Sequence, residues 1–555
     1  MDSITVVFDK QLKSVSYEQN GGDSATASAG VSKWQQHGCT IICWGDPACT
    51  QEDATLIRKL LKGDSPHAWG RSWLMIDHFH CSVKMGIDTL GLFPIWQIDL
   101  QDKVVFSNQR TSVSELLSTP KANPQAMRSL VALGQLFDQQ TLWQQVSYHG
   151  AGSSMVFGAN GQTNHQQQSK PLLSNWQTNF NDALDAFVEA VRLSFEQDDR
   201  PLVSLSGGLD SRLILAAATA LGKKPAALTY GARNSGDYQI ARQLADVANI
   251  PLFTGSQESQ NWDWQTYRRI AHLGGGEVPV HHAHAVLSES LLQQTENRTL
   301  ITGTGAETVR AFYYDRGMPG YSLLGRASLH EQMMPRAKSY IEQEFMKTAQ
   351  PFFNFAPQYK DELMALLTEK INQHADAFAT PAMYLDNFYL QQRVSRMVAS
   401  GQQLLDKHYL RSHPFLNKDA LFYMAHLPVQ YKLGSSFHRK AIKKLSPKLA
   451  EVTWDKTNQP LAKGLPFATR YPALASRFGK DSWGKAGEVI FNYSTLLKTV
   501  PDTVLQKCLT EMQCLPEESA RQQWSAIRNH LPTVSFSAVW SQMDNQPSRS
   551  LSKSA

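Results

Sequence analysis

The residues most able to do chemistry lie in one run, Ser206-Gly207-Gly208-Leu209-Asp210-Ser211. Two adjacent glycines let the backbone approach a ligand with no Cβ in the way. The amides that follow open at a predicted helix N-terminus, where an anion is favoured. Ser206 and Ser211 add hydroxyl donors. Asp210 adds a carboxylate, which repels phosphate unless a cation lies between them, and Mg²⁺ suits carboxylate plus phosphate oxygens. The run therefore points to a magnesium-bound polyphosphate. Its other meaning is a strand-to-helix turn that holds no ligand.

Such a loop needs a strand before it and a helix after it. Pro201-Leu202-Val203-Ser204-Leu205 reads as a short buried strand, and residues 212–221 as a helix rich in Leu, Ile and Ala. Residues 225–231 read as a second strand and 251–253 as a third. Between them, Ser235-Gly236-Asp237 opens a helical run over 238–247, with Ile240, Ala241, Leu244 and Ala245 on one face. A fourth strand, Thr299-Leu300-Ile301, leads into Thr302-Gly303-Thr304-Gly305-Ala306-Glu307. Strand, helix and strand at this spacing predict a doubly wound parallel sheet. Residues 178–196 read as an amphipathic helix, while 331–367, 385–433 and 483–540 read as mostly helical. The polar, Gln-rich stretch 160–172 reads as a linker, and the tail from Gln546 as disordered.

The first loop resembles the pyrophosphate loop of the adenine-nucleotide α-hydrolases, and the run from Thr302 to Glu307 resembles the second nucleotide motif of the asparagine synthetases. The resemblance implies cleavage of ATP between its α and β phosphates. It implies Mg²⁺ on Asp210 and on Glu307, which falls where the family has Asp. Leu205, Tyr230, Thr302 and Gly303 would line adenine and ribose, with Ser206, Gly207, Gly208, Ser211 and Gly305 around the phosphates. Asp237 and Ala241 match an Asp and an Ala four residues apart in that family. Thr304 stands where asparagine synthetase has Glu and β-lactam synthetase has Tyr, which implies a different acyl acceptor. Lys456 resembles the late lysine that neutralises departing pyrophosphate; the alternative is a solvated surface lysine. His438, Arg439, Lys440, Lys443, Lys444 and Lys448 form either a positive rim or the wet face of a helix.

In the N-terminal half, Asp88-Thr89-Leu90-Gly91-Leu92-Phe93-Pro94 resembles a segment of class II glutamine amidotransferase domains. Those domains attack glutamine with a Cys after the initiator Met. Here that position is Asp2, and Cys39, Cys43 and Cys49 lie far along the chain. The expectation is an α+β sandwich over 1–165 without glutaminase activity, a synthetase domain over 175–480, a helical extension over 481–545 and a tail over 546–555. This combination resembles β-lactam synthetase and the lasso-peptide cyclases. It implies a ligase that adenylates a small-molecule or peptide carboxylate and passes the acyl group to an amine, with a precursor peptide or a second copy of the chain as partner. An ammonia-fed enzyme and a silent nucleotide-binding scaffold stay open beside it.

Composition fits an ordinary enzyme. The 555 residues are 42% hydrophobic, and a net charge of +5 is too small for a nucleic-acid footprint. No stretch reads as a signal peptide or a membrane span, so the cytoplasm is the expected compartment. The six cysteines show no Cys-x-x-Cys pair and read as reduced thiols. His281, His282 and His284 read as a metal cluster or, more simply, a helix start. Glu277 is a candidate base or a cap. Arg310 either recognises a substrate carboxylate or holds Glu307, with Tyr313, Tyr314, Asp315 and Arg316 beside it; either tyrosine could serve as the base that Thr304 cannot be.

Overall fold

The computed structural model describes residues 3–11, 14–20, 31–66, 68–158, 163–166, 172–196, 198–230, 233, 235–255, 264–280, 283, 289–295, 298–315, 323–465, 498–515 and 521–544. Asp2, Gly231, the three histidines 281, 282 and 284, Arg316, residues 483–497 and the tail from 546 lie outside them.

The N-terminal unit packs two antiparallel sheets. One has the order β2 (Ser14–Asn20), β1 (Ser3–Asp9), β8 (Lys103–Ser107), β7 (Ile95–Asp99), β9 (Val146–His149). The other runs β11 (Thr163–Gln166), β10 (Ser154–Phe157), β6 (Ser82–Gly86), β5 (Arg71–Asp77), β4 (Cys39–Gly45), β3 (Val31–Gln36). Phe157 of the second sheet meets Phe8 and Phe106 of the first edge-on, with ring centroids 4.8 and 5.8 Å apart. Apolar side chains alternate inward along each strand and form the shared core. Asp88 is fully buried and accepts from the amides of Leu90 (3.1 Å) and Phe93 (2.9 Å), which closes the turn before β7. Burial pushes its carboxyl up to about 6.

The second unit carries five parallel strands in the order β14 (Leu252–Thr254), β13 (Ala226–Thr229), β12 (Leu202–Ser204), β15 (Arg298–Ile301), β16 (Tyr409–Ser412). The sheet is covered on both faces, which is why its central strands β12 and β13 read as apolar runs. Val203, Ala227 and Ile301 face a core shared with helices 180–193, 210–220 and 236–248. Leu202, Leu228 and Leu300 face the opposite core, which holds helices 264–274, 289–295 and 330–353. The sheet is therefore doubly wound, as expected. Helix caps are local: Asn179 accepts from the amides of Asn181 and Asp182, and Ser235 from that of Tyr238.

The stretch 385–433 is mostly helical, with β16 inside it, paired to β15. One expectation needs correction: the stretch 160–172 is not merely a linker, because β11 pairs with β10 there. The C-terminal helices 502–511, 521–529 and 531–544 pack on the rest of the protein: Trp540 stacks on Trp143 at 4.5 Å, and Arg128 donates to the Met512 carbonyl at 2.9 Å. Among the described residues, no helix is long and apolar enough to cross a membrane.

Buried polar contacts join the two units. Arg110 donates to the Gly274 carbonyl and to Gln403 Oε1 (3.2 Å), lies over the Trp96 ring and sits 3.5 Å from the Glu277 carboxylate. Trp69 Nε1 donates to the Leu416 carbonyl at 2.7 Å. Asp46 accepts from the His413 amide at 2.9 Å. Glu277 is thus a buried interface ion rather than a base in a cleft. Arg110→Met should leave that carboxylate buried and unpaired and cost about 3–5 kcal/mol. Chemical denaturation of the variant measures this, and adding Glu277→Gln should restore part of the loss.

Candidate functional site

The loop after β12 is held open by its neighbours. The Gly207 amide donates to Asp237 Oδ1 at 2.9 Å, so Asp237 fixes the loop from the adjoining helix. A Cβ on Gly207 would sit 2.9 Å from that oxygen and 3.0 Å from Asp455 Cβ, which explains the glycine. Ser211 Oγ accepts from the Ser206 amide at 3.2 Å, and Ser206 Oγ from the Gly208 amide at 3.3 Å. Leu205 follows β12 directly: its amide donates to the Leu228 carbonyl of β13 and its side chain is buried in the core. Arg212, fully buried, donates to the carbonyls of Val452 (2.8 Å) and Thr453 (2.7 Å). That clamp ties the loop to the segment carrying Lys456, whose ammonium lies over the Trp454 ring. Lys456 also acts electrostatically on Asp210.

Asp210 opens the helix after β12, and Glu307 lies in the short turn Ala306–Val309 after β15. Arg310 brings them together: its Nη2 is 3.2 Å from Asp210 Oδ2 and 3.2 Å from Glu307 Oε1. A Cβ on Gly303 would lie 2.8 Å from Asp210 Cβ, so the second motif needs its glycine to let the carboxylate in. Tyr389, buried, hydrogen-bonds Glu307, and both facts push its phenol well above the ordinary value. Burial raises the Asp210 carboxyl, but Arg310, His438 and Lys456 outweigh it and hold it below the usual range. His438 Nε2 sits 3.1 Å from Asp210 Oδ1 without hydrogen-bond alignment, and that oxygen is buried with no hydrogen-bond partner. Two carboxylates facing one gap are a donor set that fits a hard divalent ion.

A cavity of about 520 Å³ adjoins these residues. Ser206, Tyr230, Thr302, Gly303, Thr304 and Glu307 line it. Behind Thr304 runs a hydrogen-bond chain whose direction is fixed. Arg411, bound to Asp406, can only donate, and its Nη1 lies 3.2 Å from His413 Nε2. Nε2 therefore accepts, and the ring proton is on Nδ1, which donates to Thr302 Oγ1 at 2.8 Å. Thr302 then donates to Thr304 Oγ1 at 2.8 Å. The Thr304 hydrogen is left to point elsewhere, and the residue lines the cavity. Burial and Arg411 hold the His413 imidazole well below its ordinary pKa, so it stays neutral.

Other candidates fall elsewhere. Tyr314 is buried and donates to Asp386 at 3.1 Å, and Asp386 is paired with Lys432 at 2.6 Å; Tyr313 is buried among Phe312, Phe388 and Tyr389, with its phenol pushed up to about 12. Neither is a base. Asp315 accepts from the Gly434 amide at 2.9 Å. Of the proposed positive rim, His438 is fully buried against Phe415, whereas Lys440, Lys443, Lys444 and Lys448 are exposed. Arg310 holds Glu307, as one of the two readings had it. Met397, Val398, Gly401 and Gln402, which close the cavity, were not foreseen, nor were Tyr389, Arg411 and His413. Residues 389–398 form a π-helix, whose wider turn follows no pattern readable as a site, although such turns often mark one.

Comparison with known proteins gives one match to this unit: residues 182–449 fit the family model for asparagine synthase. No curated protein matches the chain. The matched span contains the glycine loop, the second motif and the whole parallel sheet. Members of that family are ATP-dependent ligases that form amide bonds. With its two glycine motifs meeting at one crevice of a doubly wound sheet, the domain at residues 182–449 is similar to the asparagine synthases.

Proposed function

We propose that the chain activates a substrate carboxylate as an acyl-adenylate and passes the acyl group to an amine. The carrying observation is the meeting of Asp210, Glu307 and the glycine loop beside a cavity floored by Thr304. ATP is read as lying with its adenosine toward Tyr230 and Thr302 and its phosphates toward the loop amides. A carboxylate oxygen attacks the α-phosphorus, the bond to the bridging oxygen breaks, and pyrophosphate leaves. The amine then attacks the acyl carbon, the bond from that carbon to the phosphate oxygen breaks to release AMP, and the amine's proton passes to the departing phosphate or to water.

This chain's residues have separable tasks. Asp210 and Glu307 would hold Mg²⁺, which supplies charge neutralisation at the phosphates. The loop amides and Lys456 face charge that grows on the leaving pyrophosphate. Thr304 differs from the Glu or Tyr of its relatives in kind: the chain from Arg411 through His413 and Thr302 makes it a donor, not a base. A donor there suits the acyl oxygen, and the amine's proton leaves by another route. Holding acid and amine in one cavity can lower the barrier by about 7–11 kcal/mol at best. Burial raises the thiols of Cys43 and Cys49, which does not suit glutaminase work. The acceptor is accordingly an amine of the substrate, of a second molecule, or free ammonia.

Pyrophosphate release across a panel of carboxylates, with amines or ammonium chloride, tests the reading. Asp210→Ala should abolish release with the fold intact, and Lys456→Met should slow it about a hundredfold. Release by Asp210→Ala at the normal rate, or none by the native chain with any pair, rejects it in favour of a scaffold. Thr304→Val should lose about 1.5–3 kcal/mol of transition-state binding while Thr304→Ser keeps most of it; equal loss in both would contradict the donor role. Stability should also respond to pH through His413. Its folded pKa lies well below the unfolded value of about 6.5, so acid favours the unfolded chain and stability falls as pH drops below that point. In His413→Gln the slope of unfolding free energy below pH 6.5 should shrink by up to about 1.4 kcal/mol per pH unit.

A further inference from the structure

The gap between Asp210 and Glu307 already holds a cation, the Arg310 guanidinium. A single nitrogen, Nη2, reaches both carboxylates at 3.2 Å. The pairing follows from local geometry: Glu307 and Arg310 are three residues apart on a tight turn, where i and i+3 side chains lie on one side. All three side chains are about one-fifth exposed, so the crevice is open to solvent and to ions.

We infer that Arg310 keeps the divalent-ion position between Asp210 and Glu307 closed until nucleotide phosphates draw its guanidinium away, so that metal enters only together with nucleotide. The inference rests on the nucleotide reading above.

Charge comes first. Two carboxylates and one guanidinium leave a net charge of −1 in the gap. A dication entering it would meet a fixed positive charge at the oxygens it needs. Geometry agrees. Mg²⁺ binds oxygens at about 2.0–2.1 Å in a near-octahedral shell, and Mn²⁺ takes similar oxygen ligands. The guanidinium nitrogen lies 3.2 Å from an oxygen of each carboxylate, so it occupies the space beside the oxygens that a bridging ion would take. Either the arginine leaves or the ion stays out.

Nucleotide supplies a reason to leave. Phosphate oxygens match the planar fork of a guanidinium, and the fork can bind two of them at once. Arg310 is also incompletely satisfied where it stands: its Nε is buried with no hydrogen-bond partner. Asp210 Oδ1 has His438 Nε2 3.1 Å away, on the side away from the arginine's contact with Oδ2. Arrival of a polyphosphate thus exchanges one set of charge pairs for two: guanidinium with phosphate, and metal with carboxylates and phosphate. Free metal would achieve only the second, against the first.

The test uses the full-length chain, Mn²⁺ as the metal and α,β-methylene-ATP as the nucleotide. Free Mn²⁺ is read by its electron paramagnetic resonance signal, with no turnover involved. The native chain should leave the Mn²⁺ signal unchanged alone and, once the analogue is added, quench it beyond the loss that the analogue causes without protein. Arg310→Met should acquire a nucleotide-independent Mn²⁺ site, at least about tenfold tighter than the native chain's. Arg310→Lys, which keeps a positive charge, should stay silent, and Arg310→Met combined with Asp210→Asn should lose the gained site. Stoichiometric Mn²⁺ binding by the native chain without nucleotide, abolished by Asp210→Asn, overturns the inference without any Arg310 variant having to fold. Analogue binding by the native chain with no metal site gained in folded Arg310→Met overturns this inference alone. Failure of the native chain to bind the analogue with Mn²⁺ overturns it together with the nucleotide reading.

Discussion

Two negative side chains are held near each other in this molecule by the order of five strands. β12 and β15 are neighbours and parallel, yet the chain leaves β12 for one face of the sheet and reaches β15 from the other. Their C-terminal loops therefore diverge, and a crevice opens between them, as it does wherever a doubly wound sheet reverses its strand order. Asp210 stands on one lip and Glu307 on the other. Carboxylates this close repel unless a cation separates them. Arg310 is that cation in the structure described, and His438 and Lys456 add to the positive field on Asp210. Much of the site's architecture can be understood as the means of keeping this pair charged and near.

The clamp around the loop uses the same economy. Arg212 is buried, and burial lowers its pKa to about 10, yet its guanidinium still carries its proton at neutral pH. It donates to two carbonyls beyond residue 450, more than two hundred positions away in sequence. Charge-assisted hydrogen bonds of this kind contribute about 1.5–3 kcal/mol each when the donor would otherwise be stranded. The loop after β12 and the strand before Lys456 therefore move as one piece. Leu205, which reads as part of the ligand pocket, belongs to the rigid half of that piece: it pairs with β13 and anchors the strand from below.

What the sequence makes legible is what local pattern encodes. The glycine loop, the strands at 202, 226, 252 and 298, and the helices between them all follow from short apolar runs, caps and helical spacing. β16 is different. Tyr409-Leu410-Arg411-Ser412 carries a buried arginine and serine in a strand with both faces covered, so it lacks the apolar signature of its neighbours. Its charges are satisfied by Asp406 and His413 close by in the chain and by the Leu92 carbonyl, a contact that no window of sequence contains. Met397 and Val398 reach the cavity from a π-helix, which shifts the register of every later side chain relative to an ordinary helix. His438 shows the converse error. On a helix bearing Arg439, Lys440, Lys443 and Lys444, it shares their spacing but points inward onto Asp210.

His413 draws the two units into one site. Its amide is gripped by Asp46 of the N-terminal unit, and its ring sets the direction of the hydrogen bonds that end at Thr304. Arg411, which decides the ring's tautomer, also donates to the Leu92 carbonyl, four residues past Asp88 in the turn that Asp88 closes. A shift of that turn would move Arg411. Were the guanidinium to leave Nε2, the imidazole could change tautomer, the chain through Thr302 could reverse, and Thr304 would turn from donor to acceptor. The N-terminal unit thus bears on the polarity of the cavity without lending it a side chain, which is a physical reason for its sheets to stay packed against the synthetase domain whether or not they do chemistry of their own.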